Sequence, residues 1–232
     1  MSPIPQERAV ALLQSTELFG GLHEEVLRTV ATDAIERRFG KGEVIFQEGD
    51  PAEALLVLVE GIVKVYVVSA RGGEMVLATL RPPGSLGEVS LLDGGPRSAS
   101  AAAIEPTTVL ALARSTFLGL IDRERSVADA MLRASGHLLR RLTGQTADLV
   151  FLDLEGRVAK LLASMADERG VRVDGELTLD LGVTQNDLAA MVGGSRQSVN
   201  QILHALAAKG IIRLEHRTVF VVEEDALRRR AT

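Results

Sequence analysis

The sequence predicts an α+β chain: a β-rich N-terminal half of sandwich, barrel or roll type, one long helix, and a C-terminal helix-turn-helix with a small β-wing. Three observations predict it. Between Phe39 and Ala113, short β-branched runs recur at regular spacing with Gly-containing turns between them. From Val127 to Leu149, apolar residues repeat at helical spacing. Near the C-terminus, Gly193-Gly194 separates two helical patterns, each opened by a hydroxyl residue able to cap it.

Ala9 to Leu13 and Glu24 to Arg38 read as helical, the second with Val26, Leu27, Val30, Ala34 and Ile35 on one side. Leu18 to Leu22 makes a turn between them. From Phe39 the period changes. Glu43 to Phe46 reads as a strand, Glu48 to Pro51 as a turn, and Leu55 to Val59 and Ile62 to Val68 as strands joined by a tight hairpin at Glu60-Gly61. Arg71-Gly72-Gly73 is a further turn and Met75 to Leu80 a further strand. Ser98 to Ile104 and Thr107 to Ala113 complete the strands. Ser115 to Ile121 reads as a short helix. A long one follows, capped by Ser126 and running to about Leu152. Its stripe of Val127, Met131, Ala134, Leu138, Leu142 and Leu149 fits a helix–helix seam, as in a homodimer, or packing against the β-rich half of the same chain. Gly136 and Gly144 each cost such a helix about 1 kcal/mol against Ala, which close approach of a partner helix would explain. Arg157 to Glu168 is helical, and Val171 to Leu181 reads as a hairpin through Asp174-Gly175.

The 232 residues are enough for one large or two small domains with an ample core. Aromatic residues make up 3% and tryptophan is absent, so the core must be aliphatic. There is no cysteine, which excludes disulfides, thiolate clusters and a cysteine nucleophile. No apolar run reaches the roughly 18 residues of a membrane span, and the N-terminus has no signal-peptide pattern, so a cytoplasmic protein without membrane association is expected. His23, His137, His204 and His216 are scattered, which argues against a metal-dependent enzyme built on the β-rich half. The net charge is −5. From Glu155 onward there are 11 basic and 11 acidic residues, out of 26 and 31 in all, which leaves 15 and 20 before it. The acidic excess lies wholly in the N-terminal part, and any nucleic-acid contact by the C-terminal part rests on local placement of charge.

Gly84 to Ala99 holds one arginine, Arg97, followed directly by Ser98, among glycines, a proline and apolar residues. Small residues let backbone N–H groups converge on an anion, and a helical turn starting near Gly87 adds its positive end. Arg97 can grip a phosphate with two parallel bonds, Ser98 can add a hydroxyl, and Glu88 suits a sugar hydroxyl. The same residues would also serve a surface loop with an Arg–Glu ion pair. Toward the C-terminus, Thr184 and Ser195 can cap two helices whose inner faces are Leu188, Ala189 and Val192, then Val199, Ile202, Leu203 and Leu206. Arg196, Gln197, Asn200 and Gln201 project outward from the start of the second. Two ordinary core helices would be the alternative. Ile211 to Leu214 and Thr218 to Val222 form the wing, with Arg217 at its turn.

The order Gly87-Glu88, Leu91-Leu92, Gly94, Pro96-Arg97-Ser98-Ala99 resembles the phosphate-binding cassette of cyclic-nucleotide-binding domains, in particular that of the bacterial catabolite activator and fumarate-nitrate regulator (Crp/Fnr) family of transcription regulators. Phe151 to Ala159 resembles that family's hinge and first DNA-binding helix. The resemblance implies a β-roll (a double-stranded jelly roll) as sensor domain over 1–122, a dimerisation helix over 123–152 and a winged helix-turn-helix over 153–232. It implies a non-enzymatic homodimer that binds a double-stranded DNA operator, contacts RNA polymerase, and is gated by a cyclic nucleotide, with cAMP the first candidate. Gly87, Glu88, Val89, Arg97, Ser98 and Ala99 would form the sugar-phosphate site, and Leu142 and Thr143 would occupy the base-facing positions. The DNA-facing set would be Thr184, Ser195, Arg196, Gln197, Ser198, Asn200, Gln201 and Arg217. The chain departs from the family pattern in three places: relatives carry a polar residue at Leu142, Glu at Gln197 and a basic residue at Gln201. A different operator half-site is therefore implied, and Leu142 leaves open a regulator of the same fold that is ligand-independent or senses another ligand.

Overall fold

A computed structural model describes residues 4–70, 72–173, 176–215 and 218–231. The chain divides into two compact units, residues 1–67 with 77–140 and residues 68–76 with 141–232.

The first unit opens with helices α1 (Gln6–Ser15) and α2 (Glu24–Asp33), which pair through Leu13, Leu27 and Val30. The strands are β1 (Ile35–Phe39), β2 (Val44–Phe46), β3 (Ala54–Glu60), β4 (Val63–Val68), β5 (Glu74–Leu80) and β6 (Ser85–Leu86), then, after helix α3 (Glu88–Asp93), β7 (Ser100–Ala103) and β8 (Thr107–Ala113). They form two four-stranded sheets, β1-β8-β3-β6 and β2-β7-β4-β5. In the second sheet β4 lies beside β7, with Tyr66 opposite Ser100 and the Lys64 ammonium 4.9 Å from the centre of the Tyr66 ring.

Two expectations are corrected here. The helical pattern continues in sequence through Ala34 and Ile35, yet α2 stops at Asp33 and Ile35–Phe39 is a strand. Antiparallel pairing with β8, from Ile35 opposite Ala111 to Phe39 opposite Thr107, overrides the local period. The hairpin expected at Glu60-Gly61 does not form, because β3 and β4 belong to different sheets. Both edges of β3 are taken, by β8 and by β6, and both of its faces are buried. Leu55 and Val57 face the helices, while Leu56 and Leu58 face the other sheet. No edge remains for β4, so the chain turns a corner at Gly61. Its φ of +95° and the crowding of Pro106 and Thr107 around it leave no room for a Cβ.

Helix α4 (Arg114–Arg123) lays Phe117 edge-on against Phe19, with ring centroids 6.4 Å apart and both side chains fully buried. Helix α5 (Arg125–Phe151) begins before Ser126, which therefore sits inside the first turn and is not the cap. The single stripe expected along α5 divides. Val127 and Met131 are buried in the helical core, with Ala134 packed against it, whereas Leu142 and Leu149 are exposed. A second apolar row, Leu132 and Leu139, is 73% and 66% exposed. One residue along a helix turns by about 100°, so the row begun at Leu132 is turned away from the row begun at Met131. Packing against the chain's own core thus accounts for the start of the stripe, and the rest opens outward.

In the second unit, α5 continues from residue 141 and is followed by α6 (Leu154–Arg169), β9 (Val171–Val173), β10 (Glu176–Asp180), α7 (Gln185–Val192), α8 (Arg196–Ala208), β11 (Ile212–Glu215), β12 (Thr218–Val221) and α9 (Glu224–Arg230). Asp153 caps α6, its Oδ1 accepting from Gly156 N at 2.7 Å. The strands form one sheet in the order β11-β12-β10-β9, with Leu179 and Val219 fully buried. The expected turns at Arg71 and at Asp174-Gly175, and Arg217 itself, lie wholly or partly outside the described residues; the strands flanking Asp174-Gly175 do pair. Helix α9 lies along α6, with Arg228 donating to Asp167 and Arg230 Nε to Glu155 at 3.3 Å. The Arg228 bond holds the Asp167 carboxyl below its ordinary range.

Phe117→Ala removes a fully buried ring from the contact between the helices and the β-roll. It is expected to cost about 3–5 kcal/mol in urea unfolding, and a loss under about 1 kcal/mol would show that the site refills.

Candidate functional site

Strand β6 delivers the chain to Gly87, whose φ of +91° and ψ of 8° lie in the left-handed region. Helix α3 starts there, is anchored by buried Ser90 and Leu91, and ends at Gly94 with φ +71°. The segment then returns toward the β2–β3 connection, where two backbone bonds pin it: Arg97 N donates to Asp50 O and Gly49 N donates to Arg97 O, each at 2.8 Å.

The Arg97 side chain folds inward and is 5% exposed. Its Nη1 donates to Gly87 O at 2.9 Å and its Nη2 to Ala54 O at 2.7 Å. The guanidinium carbon lies 4.3 Å from the centre of the Phe46 ring. Nε is buried with no hydrogen-bond partner. Burial pushes the guanidinium below the usual arginine range, and Glu88, Asp50 and Glu53 oppose that shift. A buried donor left unsatisfied costs about 1–3 kcal/mol, so an acceptor brought to this position is favoured. A Cβ on residue 87 would collide with Nη1 of Arg97, so glycine is required there for space as well as conformation.

The structure therefore brings Gly87, Glu88 and Arg97 together around the start of α3. Glu88 and Val89 are half-buried, Ser98 is exposed and Ala99 is buried. Leu142 and Thr143 lie on the exposed side of α5, in the second unit. The Phe46 ring, the Ala54 carbonyl and the Asp50 backbone were not legible as parts of this site, because they come from strands and loops about forty to fifty residues away in sequence.

The second candidate site is the α7–α8 pair. Thr184 and Asp187 form a reciprocal capping box: Thr184 Oγ1 accepts from Asp187 N at 3.2 Å, and Asp187 Oδ2 accepts from Thr184 N at 3.0 Å. Gly193, with φ +65°, ends α7. A Cβ on Gly194 would lie 2.8 Å from Leu154 Cδ1, so the turn packs closely against the start of α6. Ser195 caps α8, its Oγ accepting from Ser198 N at 3.0 Å. Val199, Leu203 and Leu206 are buried, while Ile202, expected among them, is only half-buried. Arg196, Gln197 and Gln201 are exposed, and Asn200 and Ser198 are half-buried. Gln185, at the start of α7, was not singled out from sequence. Its Nε2 donates to Asn200 Oδ1 at 3.3 Å, and its Oε1 accepts from Arg196 Nε at 3.5 Å. It steadies two side chains of the exposed row. Only the fold, which crosses α7 over α8, reveals it.

Residues 36–124 match the family model for the cyclic nucleotide-binding domain, and residues 156–230 that for the Crp-like helix-turn-helix domain. A CRP-like cAMP-activated global transcriptional regulator of Mycobacterium tuberculosis is 32% identical over 220 residues, covering 95% of this chain and 98% of that one. The chain belongs to the Crp family of transcription regulators. The cyclic AMP receptor protein of Thermus thermophilus is 36% identical over 93% of this chain and 96% of its own. Among solved structures, a CooA mutant from Carboxydothermus hydrogenoformans shares the fold with a TM-score of 0.78 at 23% identity, covering 94% of this chain and 97% of that chain. As a member of the Crp family, the protein is a DNA-binding transcription regulator with a cyclic-nucleotide-binding domain, and its relatives are regulators, not enzymes. Among the described residues, no helix is long and apolar enough to cross a membrane.

Gly87→Ala introduces a side chain in the left-handed region and against the guanidinium. It is expected to lower the thermal midpoint by several degrees, corresponding to a loss of about 1–3 kcal/mol; an unchanged melting curve would show that Arg97 moves aside without cost.

Proposed function

We propose that the protein is a homodimeric regulator whose affinity for its DNA operator is set by a cyclic nucleotide held at the Gly87–Ala99 cassette, with cAMP the first candidate. The observation that carries this reading is the inward-facing Arg97, fixed by two carbonyls and keeping one buried donor unused. Arg97, Ser98 and the Ala99 backbone would take the cyclic phosphate and Glu88 the ribose hydroxyl, with Gly87 and Val89 shaping the wall. Leu142 and Thr143 are the base-facing positions by the family pattern. The name of the Mycobacterium tuberculosis relative, cAMP-activated, and that of the Thermus thermophilus relative, a cyclic AMP receptor, favour cAMP.

Dimerisation would cover the exposed Leu132, Leu139, Leu142 and Leu149 of α5 with the same residues of a second copy, and open space beside Gly144 suits close helix approach. The proposed division is a sensor over 1–122, a dimer helix over 123–152 and a DNA-binding domain over 153–232. Helix α8 would enter the major groove, with Arg196 on guanine O6 and N7 and Gln197, Asn200 and Gln201 on neighbouring bases; Thr184, Ser195, Ser198 and Arg217 would meet phosphates. RNA polymerase is the further partner by family pattern, and the cytoplasm the place of action. One observation favours a second reading, in which gating is nucleotide-independent or uses another ligand: Leu142 presents an apolar side chain where the family has a polar one.

Calorimetry of cAMP, cGMP and a cyclic dinucleotide against the purified protein tests the ligand. Binding of cAMP, weakened about 100-fold by Arg97→Ala, is the expected result. No binding of any of the three, with full operator affinity in nucleotide-free protein, would instead establish the second reading. For the DNA site, Arg196→Ala is expected to cost about 1–3 kcal/mol of operator affinity and to relax preference at one guanine, as read by fluorescence anisotropy on operator variants. A uniform loss across sequences would make Arg196 a phosphate contact.

A further inference from the structure

Between the end of α5 at Phe151 and the start of α6 at Leu154, only Leu152 and Asp153 link the two helices. Such a short connection fixes distance but not direction. Arg157, in the first turn of α6, spans it. Its Nη1 donates to Leu152 O and its Nε donates to Val192 O, each at 2.8 Å. The first carbonyl follows the last residue of α5 and the second ends α7. Both are helix-end carbonyls, which lack acceptor roles within their own helices and carry the negative end of the helix dipole. A guanidinium is planar and holds its donors in a fixed fork, so bonding both carbonyls sets the angle between the two helix ends.

The surroundings reinforce this joint. Lys160 Nζ meets Asp148 Oδ1 at 2.6 Å, tying α6 to the last turns of α5. Leu154 packs closely on Gly194, where a Cβ would lie 2.8 Å from its Cδ1, and a Cβ on Gly193 would lie 3.6 Å from Leu149. The end of α5, the start of α6 and the turn before α8 thus share one packed cluster.

We infer that Arg157 is the positioning residue that couples the end of the long helix to the DNA-reading pair, so that a displacement of the last turn of α5 is carried to α8 instead of being absorbed by the two-residue linker. This deepens the ligand-gated reading and rests on it for its functional consequence.

The test compares the full-length wild type with Arg157→Gln and Arg157→Lys. One measurement is the ratio of operator affinities with and without saturating cAMP. The other is backbone-amide hydrogen exchange, read at residues 148–156 and through α6 and α8. In both variants cAMP binding without DNA is expected to stay within about twofold, while the affinity ratio falls toward one. The Leu152 amide is expected to exchange about tenfold faster, with protection in α6 and α8 unchanged. Lysine keeps the charge but has no fork, so it is expected to behave like glutamine; full restoration by lysine would overturn the two-carbonyl bridge. An unchanged affinity ratio in both variants would overturn the coupling role, as would a uniform loss of protection through α6, which marks a purely structural residue. Should cAMP leave wild-type operator affinity unchanged, the gating reading fails by itself. The exchange result then decides the joint: faster exchange confined to the linker supports it, and unchanged exchange rejects it.

Discussion

Arg97 carries its charge into the interior of the first unit, and three parts of the fold meet on it. Ala54 opens β3 in one sheet, Phe46 closes β2 in the other, and Gly87 opens α3. Bringing a cation out of water costs several kcal/mol unless polar groups replace its hydration. Two carbonyls, an aromatic face and nearby carboxylates do so in part. The rest of the cassette follows from that requirement. Glycine must stand at 87, the return segment must be pinned to Gly49 and Asp50, and the two sheets must close to within reach of one side chain. A guanidinium held this way has its direction fixed by the fold itself.

The second unit solves a different problem, that of meeting a polyanion without a basic surplus. Lys160, Arg172, Lys209, Arg213, Arg228 and Arg230 each face a carboxylate of the same unit. These pairs balance much of its charge internally. Arg196, at the N-terminal end of α8, meets the amide of Gln185. Its charge is therefore steered without being neutralised, on the helix end whose dipole also favours anions.

What the sequence conveyed depended on how local the controlling interaction was. The capping box at Thr184, the Ser195 cap and the glycine turn at 193 are set within a few residues, and each appears in the structure where its pattern lies. The cassette was legible for the same reason, since Glu88 and Arg97 are nine positions apart on one segment. The failures share the opposite cause. Ile35 to Arg38 was expected to continue the helix and becomes strand only because β8 pairs with it. Glu60-Gly61 has the composition of a hairpin turn and becomes a corner because β3 has no vacant edge. The stripe on α5 looked continuous because periodicity cannot tell a buried apolar row from an exposed one. Arg157 and Gln185 owe their roles to helix crossings that no spacing rule encodes.

The single tyrosine has an experimental corollary. With no tryptophan and one phenol in 232 residues, the ultraviolet emission of this protein originates almost entirely at Tyr66. That ring lies opposite Ser100, the residue after Ala99, whose hydroxyl holds Glu48 N at 2.9 Å. The only strong chromophore therefore stands beside the strand that leaves the cassette, while the DNA-reading unit has only the weakly emitting Phe151 and Phe220. Native fluorescence watches the first unit alone.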